Sequence, residues 1–506
     1  MARSPEQLYS ELLAHLRQVA LLESCGAILG WDEQTCLPAG GSELRADQSA
    51  LLAGLAHERA TAPVVGELLG ELTSRGWPAD ASSPERANLR EIARSYRRAT
   101  ALPRRLVEEL TKATSLSQKT WVAARKQRQF SLFLPDLERV IALRREVAQA
   151  LARGECDPYD ALIDEYEPAM TAADIAQLFA PLRRELVKLI GQIGQSGRQP
   201  PVEILTRHYP ADAQRAFSFE AASEIGFNFE DGRLDVAAHP FCSGIGPGDC
   251  RLTTRYDTHH FPGAFFGTLH EAGHGIYEQG LNRGAWGTPL GSACSLGVHE
   301  SQSRLWENLV GRSLAYWQRA FPKAQKMFPE ALQGVSLDQF HAAINDVRPS
   351  FIRVESDEVT YNLHIMLRFE LEQLLVSGEL APADLPGAWN ERFQRDFGIT
   401  PSHDSDGCLQ DVHWSAGYLG YFPTYCLGNM IAAQLFDTAR TQLGDLDAAF
   451  RAGEFQPLRE WLNTQIHQHG KRWPTAELVQ RVTGKPLSSE PLVRHLKERF
   501  GPLYGL

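Results

Sequence analysis

The segment His270-Glu271-Ala272-Gly273-His274 places two imidazoles one helical turn apart, with a carboxylate between them. On a helix both histidines point the same way, so they can bind one zinc ion and leave Glu271 beside a water on that ion. This arrangement suits the hydrolysis of an amide. By chance the three fixed residues of this motif occur in roughly one chain of this size in thirty. The alternative interpretation is therefore that His270 and His274 are two solvent-facing histidines on an ordinary helix.

A catalytic zinc also needs a third protein ligand, for which a carboxylate is common. Glu300 lies in Val298–Trp306, a later stretch with helical spacing, and we predict it as that ligand. The adjacent His299 is a competing candidate. Neighbouring helical positions point about 100° apart, so only one of the two should face the metal. We therefore expect His299 to support the site or to pack against it.

Other chemistries lack their usual motifs. Ser402–Gly407 resembles the start of a calcium loop, but the twelfth position is His413, where a bidentate Glu is required. The sequence also lacks the Gly-x-x-x-x-Gly-Lys phosphate loop and the Gly-x-Ser-x-Gly turn of serine hydrolases.

The elements around the first motif predict a mostly helical fold. Pro262 suits the first turn of a helix and Gly280 its end, so the motif should lie on a helix. Helix-start signals such as Ser4-Pro5-Glu6-Gln7 recur through the first 200 residues, which we predict to be helical. Helical periodicity returns from about residue 262.

Between about residues 201 and 257 the pattern changes to alternating apolar and polar positions. Asp231-Gly232 separates Phe227–Phe229 from Leu234–Val236, which is typical of a hairpin, and Arg251–Tyr256 is a further possible strand. We therefore predict a small antiparallel sheet.

Composition indicates a folded, globular protein of 506 residues, 43% hydrophobic, with a net charge of −11. A pI near 5.8 and the lack of a long basic run argue against nucleic acid as a partner. Glu6, Glu11 and Arg17 interrupt any signal-peptide core, which predicts a cytoplasmic protein. The longest uncharged span, residues 412–436, contains His413 and Pro423, so we expect no membrane association.

The eight cysteines are scattered and include no Cys-x-x-Cys pair, which indicates reduced thiols. The chain has no internal repeat and no long linker. We predict one catalytic unit over residues 1–506, with approximate lobes 1–200 (helical) and 201–506 (catalytic) and no sharp boundary between them.

Several further motifs, spread over the whole chain, resemble those of the thermostable metallocarboxypeptidase family of the carboxypeptidase Taq type. The N-terminal segment Trp31–Thr35 is also similar. One departure is Ser356, where the family pattern IRxxAD has Ala; the change keeps Arg353 and Asp357. The matching motifs are His239-Pro240-Phe241 (HPF), Asp249–Thr253 (DxRxT), His299–Gln302 (HE(S/G)Q) and Gly407–Trp414 (GxxQDxHW).

This resemblance implies a V-shaped, mostly helical homodimer with a deep cleft beside the small sheet. It implies one divalent metal ion per chain, zinc in the first place and cobalt as the alternative. The activity implied is the removal of single residues from peptides with a free C terminus, with broad side-chain tolerance.

The resemblance also implies roles for individual residues. Glu271 would be the general base, Tyr421 and His413 would donate to the oxyanion, and Arg353 would bind the substrate carboxylate. His239, Arg251 and Tyr425 would line the substrate site. Several of these assignments have an alternative. Tyr421 could belong to a buried aromatic stripe with Tyr418 and Tyr425, and Arg353 could form a surface salt bridge. Pro240-Phe241 could serve only in packing.

Two other functions stay open at this point. An oligopeptide endopeptidase could use the same metal chemistry, and Arg353 together with the family motifs argues against it. A catalytically inactive helical peptide-binding protein is the alternative of a different class, against which the complete ligand set and Glu271 argue.

Overall fold

The computed structural model describes residues 3–80 and 82–506, which form two compact units of three segments each. The chain passes repeatedly between the units, whereas the predicted lobes meet at one point near residue 200. That the whole chain acts as one catalytic unit stays a prediction. The first unit comprises Met1–Thr100, Pro201–Ile344 and Leu435–Pro486, and the second comprises Ala101–Pro200, Asn345–Gln434 and Leu487–Leu506.

Helices dominate both units, as predicted. The first ten are α1 (Pro5–Thr35), α2 (Ser42–Ala60), α3 (Pro63–Ser74), α4 (Pro84–Ala101), α5 (Arg104–Gln127), α6 (Leu134–Ala152), α7 (Pro158–Tyr166), α8 (Ala172–Gln195), α9 (Ala211–Glu224) and α10 (Phe261–Gly280). The others are α11 (Leu296–Arg304), α12 (Leu314–Met327), α13 (Pro329–Leu332), α14 (Leu337–Ile344), α15 (Tyr361–Ser377), α16 (Leu385–Phe397), α17 (Pro423–Leu443), α18 (Leu446–Ala452), α19 (Gln456–Gln465), α20 (Thr475–Thr483) and α21 (Glu490–Tyr504).

The helix start predicted at Ser4 is confirmed by its cap. The Ser4 side chain accepts from the Gln7 amide, and the Gln7 side chain accepts from the Ser4 amide, which forms a capping box. Thr171 and Asp174 form the same reciprocal cap at the start of α8. These bonds satisfy amide groups that have no partner within their own helices.

Two apolar clusters organise the first unit. Leu8 and Leu12 of α1 pack with Val65 and Leu72 of α3 and with Ile92 of α4. The second cluster lies where α10 packs against its neighbours and consists of rings that stack or meet edge to edge. Its members are Phe217, Phe261, Phe265, Trp317, Phe328 and Phe340.

A small sheet is present in the first unit, but it is mixed rather than wholly antiparallel. Its strands are β1 (Gly232–Val236), β2 (Cys242–Gly246) and β3 (Asp249–Thr254), in the order β1-β3-β2. β2 and β3 pair antiparallel, whereas β1 and β3 pair in parallel.

The predicted hairpin at Asp231-Gly232 is therefore wrong. Phe227 and Phe229 do not belong to a strand. Their rings meet each other edge to edge, and Phe229 stacks on Phe219 of α9 with centroids 3.9 Å apart. Aromatic packing thus produced the apolar alternation that had suggested a strand. The hairpin of this sheet instead joins β2 and β3, where Gly248 has a φ of +85°.

Of the helices in the described residues, α1 alone is long and apolar enough to span a membrane by length and composition. One such helix is weak support for a membrane protein, since core helices and leader sequences meet the same criterion. Only 11% of its most apolar 18-residue stretch is buried, so much of that apolar surface faces outward.

The second unit is organised around α15. Its residues Leu363, Ile365, Met366, Leu367 and Leu371 are fully buried, so the helix is covered on all sides. Two charged residues of the same helix, Arg368 and Glu372, are also buried. A buried charge needs partners, and these partners, described below, position the loop that carries the later motifs.

Candidate active site

The helix α10 holds the first motif in a rigid setting. Pro262 lies in its first turn, as predicted, and Ala272, Ile276 and Tyr277 are buried against the core. Its opposite side carries His270 and His274, which are partly exposed. The packed face therefore fixes the direction in which the two imidazoles point.

Gly273 allows α11 to approach α10 closely. A Cβ atom at this position would lie 2.6 Å from the carbonyl oxygen of Gln302 and 2.7 Å from the Cα of Ser303. Both are backbone atoms and cannot move aside easily. Glycine at position 273 thus lets Glu300, on the same turn of α11, reach the histidines.

The three predicted ligands meet. Oε2 of Glu300 lies 3.4 Å from Nε2 of His274 and 3.7 Å from Nε2 of His270. One ligand atom from each residue lies within 4.8 Å of the other two, a spacing that fits a single ion. Two imidazole nitrogens and one carboxylate oxygen form the usual donor set of a catalytic zinc site.

The far side of His270 is also fixed. Its Nδ1 lies 2.9 Å from Oε2 of Glu307, and a proton on Nδ1 leaves the Nε2 lone pair directed at the ligand group. Glu307 lies in a π-helical turn, Leu305–Val310, that continues from α11. Such turns often occur at functional sites. The donor set and this support together fit a divalent metal.

Arginines surround the carboxylates of this site. Nε of Arg304 donates to Glu300 at 2.7 Å, and its Nη1 lies 3.3 Å from Glu307. Burial raises the pKa of both carboxyls, but Arg304 and His270 outweigh it and hold the pKa of Glu300 well below its usual range and that of Glu307 at about 2. Both groups are therefore carboxylates at neutral pH.

Glu271 is in a different electrostatic state from these two. It is buried, and burial together with the nearby Glu300 raises its pKa to about 7. A carboxyl group with a pKa near neutrality can both accept and return a proton during a reaction.

His299 does not offer a nitrogen to the ligand group. Its Nε2 lies 2.8 Å from Oε1 of Glu278, and its ring stacks on His274 with centroids 4.4 Å apart. It therefore supports His274 from the side.

The remaining predicted residues of the first unit differ in their environments. His239 is exposed in the loop between β1 and β2. Arg251, on β3, makes a two-pronged ion pair with Asp249 at 2.8 and 2.7 Å and lies over the ring of Trp31. The DxRxT motif thus contacts the N-terminal motif at the end of α1.

The second unit brings Arg353 together with two charged residues that we did not predict. Nε and Nη2 of Arg353 donate to Asp411, and Nη1 donates to the hydroxyl of Tyr361 at 2.9 Å. Nε of Arg368 donates to the other oxygen of Asp411 at 2.8 Å. Arg353 is buried, so the surface salt-bridge alternative does not describe it.

This cluster carries an excess of positive charge. Burial lowers the pKa of Arg368 only to about 10, so both guanidinium groups are charged at neutral pH. Despite burial, the two arginines hold the pKa of Asp411 far below its usual range. Two cations and one anion leave a net charge of one positive unit, which favours binding of a further anion.

His413, Tyr421 and Tyr425 form an aromatic group. Nε2 of His413 lies 3.4 Å from the hydroxyl of Tyr425, and the His413 and Tyr421 rings are 5.4 Å apart. Burial lowers the pKa of His413 to about 4, so its imidazole is neutral at pH 7. Tyr418 is exposed, whereas Tyr421 and Tyr425 are partly so, which is not the pattern of a buried stripe.

Glu372 of α15 supports the loop that carries this aromatic group. It accepts from the Trp414 indole, the Gly420 amide and the Tyr159 hydroxyl, each at 2.8 Å. Trp414 and Gly420 directly neighbour His413 and Tyr421 in the chain. One buried carboxylate thus holds both ends of the segment between those two residues.

Three supporting acids were not predicted. Glu307 could have been noticed, because Glu300, Arg304 and Glu307 follow helical spacing. Asp411 belongs to a motif that we identified, but its pairing with two arginines joins distant parts of the chain. Nothing in the spacing indicates Glu372.

Known proteins similar to this chain were found by sequence and by structure. The family described as carboxypeptidase Taq (M32) metallopeptidase matches residues 11–500. Thermostable carboxypeptidase 1 of Thermus thermophilus is 49% identical over 99% of this chain and 100% of the relative, and carboxypeptidase 1 of Bacillus subtilis is 38% identical over 97% of each. The crystal structure of the M32 carboxypeptidase from Deinococcus radiodurans R1 is 39% identical, with a TM-score of 0.94 over 99% of this chain and 100% of that one.

Proposed function

Because the chain belongs to the carboxypeptidase Taq (M32) metallopeptidase family and is a metallocarboxypeptidase, we propose that His270, His274 and Glu300 bind its divalent metal ion. Zinc is the first choice and cobalt the alternative. The convergence of two Nε2 atoms and one carboxylate oxygen is the observation that carries this proposal. A divalent ion bound there supplies a Lewis acid, which polarises the scissile carbonyl and makes water more acidic.

Glu271 is the general base of the proposed reaction. It takes a proton from the attacking water and returns it to the leaving amine, so the same carboxyl serves both steps. Its raised pKa, about 7, supports both roles near neutral pH.

Arg353 recognises the substrate's terminal carboxylate. The fork of Arg353 is held by Asp411 and Tyr361, so it is ordered before substrate binds. The net positive charge of the cluster formed by Arg353, Arg368 and Asp411 supports this role, because a substrate carboxylate would neutralise it. The same recognition accounts for cleavage at the C terminus instead of within the peptide.

Tyr421 and His413 donate hydrogen bonds to the oxygen that becomes negative as the carbonyl is attacked. His413 is neutral at pH 7 and retains one ring N–H for this purpose. Tyr425, which lies beside His413, contacts the substrate, and His239 and Arg251 are further substrate-binding residues.

The wider assignment is a cytoplasmic homodimer that acts on peptides with a free C terminus and broad side-chain tolerance, without nucleic-acid or membrane partners. All eight cysteines, each in the described part of the chain, are free thiols, which supports a reducing compartment. The acidic net charge supports the exclusion of nucleic acid.

The test is a time course by mass spectrometry on a free-acid peptide and its C-terminally amidated twin. The protein is stripped with a chelator and then reloaded with zinc or with cobalt, and its metal content is measured. Stepwise loss of single residues from the free acid, restored by one ion per chain, supports the proposal. Activity that survives complete removal of the metal contradicts it.

A further inference from the structure

A cavity in the first unit has walls that contain none of the residues assigned to the reaction. It lies between α1, α4, the hairpin of β2 and β3, and the segment that follows α10, and we call it the α1–α4 cavity. Its lining comes from all three segments of the first unit. Its volume is about 640 Å³, which is within the usual range for sites that bind small molecules.

Apolar side chains form much of the wall. They include Leu16 and Val19 of α1, Ile92 of α4, Ile245 of β2 and Trp286. Walls of this kind bind the apolar part of a ligand, while a few polar groups fix its orientation. The polar groups therefore indicate which ligand the cavity takes.

Lys471 brings a positive charge to the cavity, and the backbone around it is fixed. Its carbonyl oxygen accepts from Nη2 of Arg90 at 3.1 Å. At Gly470, where φ is +53°, a Cβ atom would clash with the carbonyl oxygen of Leu290. Glycine lets these two chain segments lie close together, which places Lys471 at the cavity.

Within the described part of the chain, no hydrogen bond or salt bridge joins the ammonium group of Lys471 to another residue. Two acids lie near enough to affect its pKa, Glu91 and Glu23. Glu91 is already paired with Arg90 at 2.8 Å and with Arg94 at 3.0 Å. Burial and Arg94 lower the pKa of Lys471, and the two acids oppose this. A partly buried cation in this setting favours binding of an anionic group.

Glu23 of α1 brings a negative charge to the same cavity. Its carboxylate stays accessible to solvent and makes no hydrogen bond or salt bridge with any residue that the structure describes. Partial desolvation raises the pKa of Glu23, and the charge of Lys471 opposes this. Glu23 and Lys471 therefore influence each other without being in contact.

Two unpaired charges of opposite sign in one partly apolar cavity match a zwitterion. An α-amino acid carries a carboxylate for Lys471, an ammonium group for Glu23 and a side chain for the apolar wall. A phosphate would meet one cation beside an anion, and a divalent cation would meet one carboxylate beside a lysine. Both are therefore poorer matches.

The reaction of the protein itself supplies this class of ligand, because a carboxypeptidase releases free amino acids. The cavity also approaches the support of one proposed metal ligand. Glu278 lines it, and Oε1 of Glu278 lies 2.8 Å from Nε2 of His299, whose ring stacks on His274. An occupant of the cavity can thus reach the support of His274 without entering the ligand group.

We propose that the α1–α4 cavity binds a free α-amino acid with an apolar side chain, its carboxylate on Lys471 and its ammonium group on Glu23. This is a second site for the amino acid, apart from the residues that release it. The inference goes beyond the proposed function, and its test does not depend on the metal ligands or the base assigned there.

Isothermal titration calorimetry of the metal-loaded protein with L-leucine tests the two charges. Lys471→Met and Glu23→Gln should each raise the dissociation constant at least 10-fold. Lys112→Met and Glu58→Gln, at exposed positions of α5 and α2, are the matched controls and should bind leucine as wild type does. The circular dichroism spectrum and the metal content should be unchanged in all four variants.

Two analogues of leucine assign each charge to its partner. N-Acetylleucine lacks the ammonium group, so Lys471→Met should weaken its binding and Glu23→Gln should not. Leucinamide lacks the carboxylate, and for this analogue the pattern should be reversed. Binding at the active site would respond to neither substitution.

A second measurement needs no variant. Acylation of lysines by acetic anhydride, mapped by mass spectrometry, should slow at Lys471 as leucine is added. The rate at the exposed Lys112 should stay the same. This result supports the proposal even if Lys471→Met fails to fold.

Three results would overturn the proposal. Equal leucine affinity in wild type and in both cavity variants, with Lys471 unprotected, places the amino acid at the active site. A wild-type protein that does not bind leucine rejects the ligand. Tighter binding of ε-aminocaproic acid, whose two charges lie farther apart, rejects an α-amino acid in favour of a longer zwitterion such as a peptide.

Discussion

Nδ1 of His270 lies 2.9 Å from a carboxylate oxygen of Glu307, which places a charged acceptor directly behind one proposed metal ligand. The same carboxylate contacts Arg304 at 3.3 Å and Arg312 at 3.6 Å. Glu307 therefore orients His270 while its own position is fixed by two cations. Such supporting acids raise the basicity of the nitrogen that faces the metal.

Glu307→Gln should weaken metal binding about 10- to 100-fold, because it removes that charge while preserving the shape of the side chain. Competition against a chelator of known affinity measures the change. Glu330→Gln, at an exposed position of α13, is the control and should bind metal as wild type does. Equal affinity in both variants would show that His270 does not depend on Glu307.

Glu271→Gln should lower kcat by about two to four orders of magnitude, because the amide cannot accept the proton of the attacking water. Metal content should stay at one ion per chain, since Glu271 is not in the ligand group. Initial rates and elemental analysis on the same preparation test both points. A variant that keeps its activity would exclude Glu271 as the base.

Arg353→Lys should reduce the preference for free-acid over amidated peptides by about 10- to 100-fold, because one ammonium group cannot replace a two-pronged fork. The variant keeps a positive charge beside Asp411, which limits the structural damage. Values of kcat/KM for the two peptides give the ratio. If both fall by the same factor, the arginine acts only through the fold.

Tyr421→Phe should lower kcat about 100- to 1,000-fold with a smaller rise in KM, because the lost donor acts on charge that develops only during the reaction. Tyr418 stacks near Tyr421 but is exposed, so Tyr418→Phe is the matched control and should have near wild-type kcat. An unchanged kcat in the Tyr421 variant would contradict its role as a donor.

Glu372 should make stability depend on pH. Burial raises its pKa from 4.5 to about 7, so between those values the folded protein retains a proton that the unfolded chain releases. Its contribution to stability therefore falls as pH rises through this window and is constant above it. Glu372→Gln removes the effect, so from pH 5 to pH 8 the variant should gain roughly 3 kcal/mol relative to wild type.

Urea unfolding of both proteins at several pH values measures this difference. The amide introduced by Glu372→Gln could change the free energy of unfolding by an amount that is the same at every pH. The test is therefore how the difference in the free energy of unfolding between the two proteins changes with pH. A constant difference between the two proteins would mean that Glu372 titrates near its ordinary pKa.

The proximity of His270, His274 and Glu300 could be predicted because each of these residues follows a local rule. His270 and His274 share a helix face through their spacing, and Glu300 lies in a later stretch with helical spacing. The cluster of Arg353, Arg368 and Asp411 could not be predicted in the same way. It joins a 3₁₀ turn, a buried helix and a loop, and sequence spacing carries no information on such long-range contacts.

The sheet shows where local rules fail. Alternation at Phe227 and Phe229 has the period of a strand, but the two rings pack against each other and Phe229 stacks on Phe219 of α9. β1 pairs in parallel with β3, which comes later in the chain. The π-helical turn brings Glu307 to His270, and Glu307 lies one residue beyond the predicted helical stretch Val298–Trp306. Its helical spacing from Glu300 and Arg304 was a usable signal, but that spacing does not indicate contact with His270.

The division of the first unit into three segments has a consequence for synthesis on the ribosome. His467, from the last of these segments, bonds to Gln302 at 2.9 Å and lies against Tyr277, one turn beyond the second ligand histidine. At typical rates of translation this support is made on the order of ten to thirty seconds after the ligand helices. The helices that carry the proposed metal ligands therefore lack this contact until the end of the chain is synthesised. A nascent polypeptide that stops before residue 435 lacks the buried bond between His467 and Gln302.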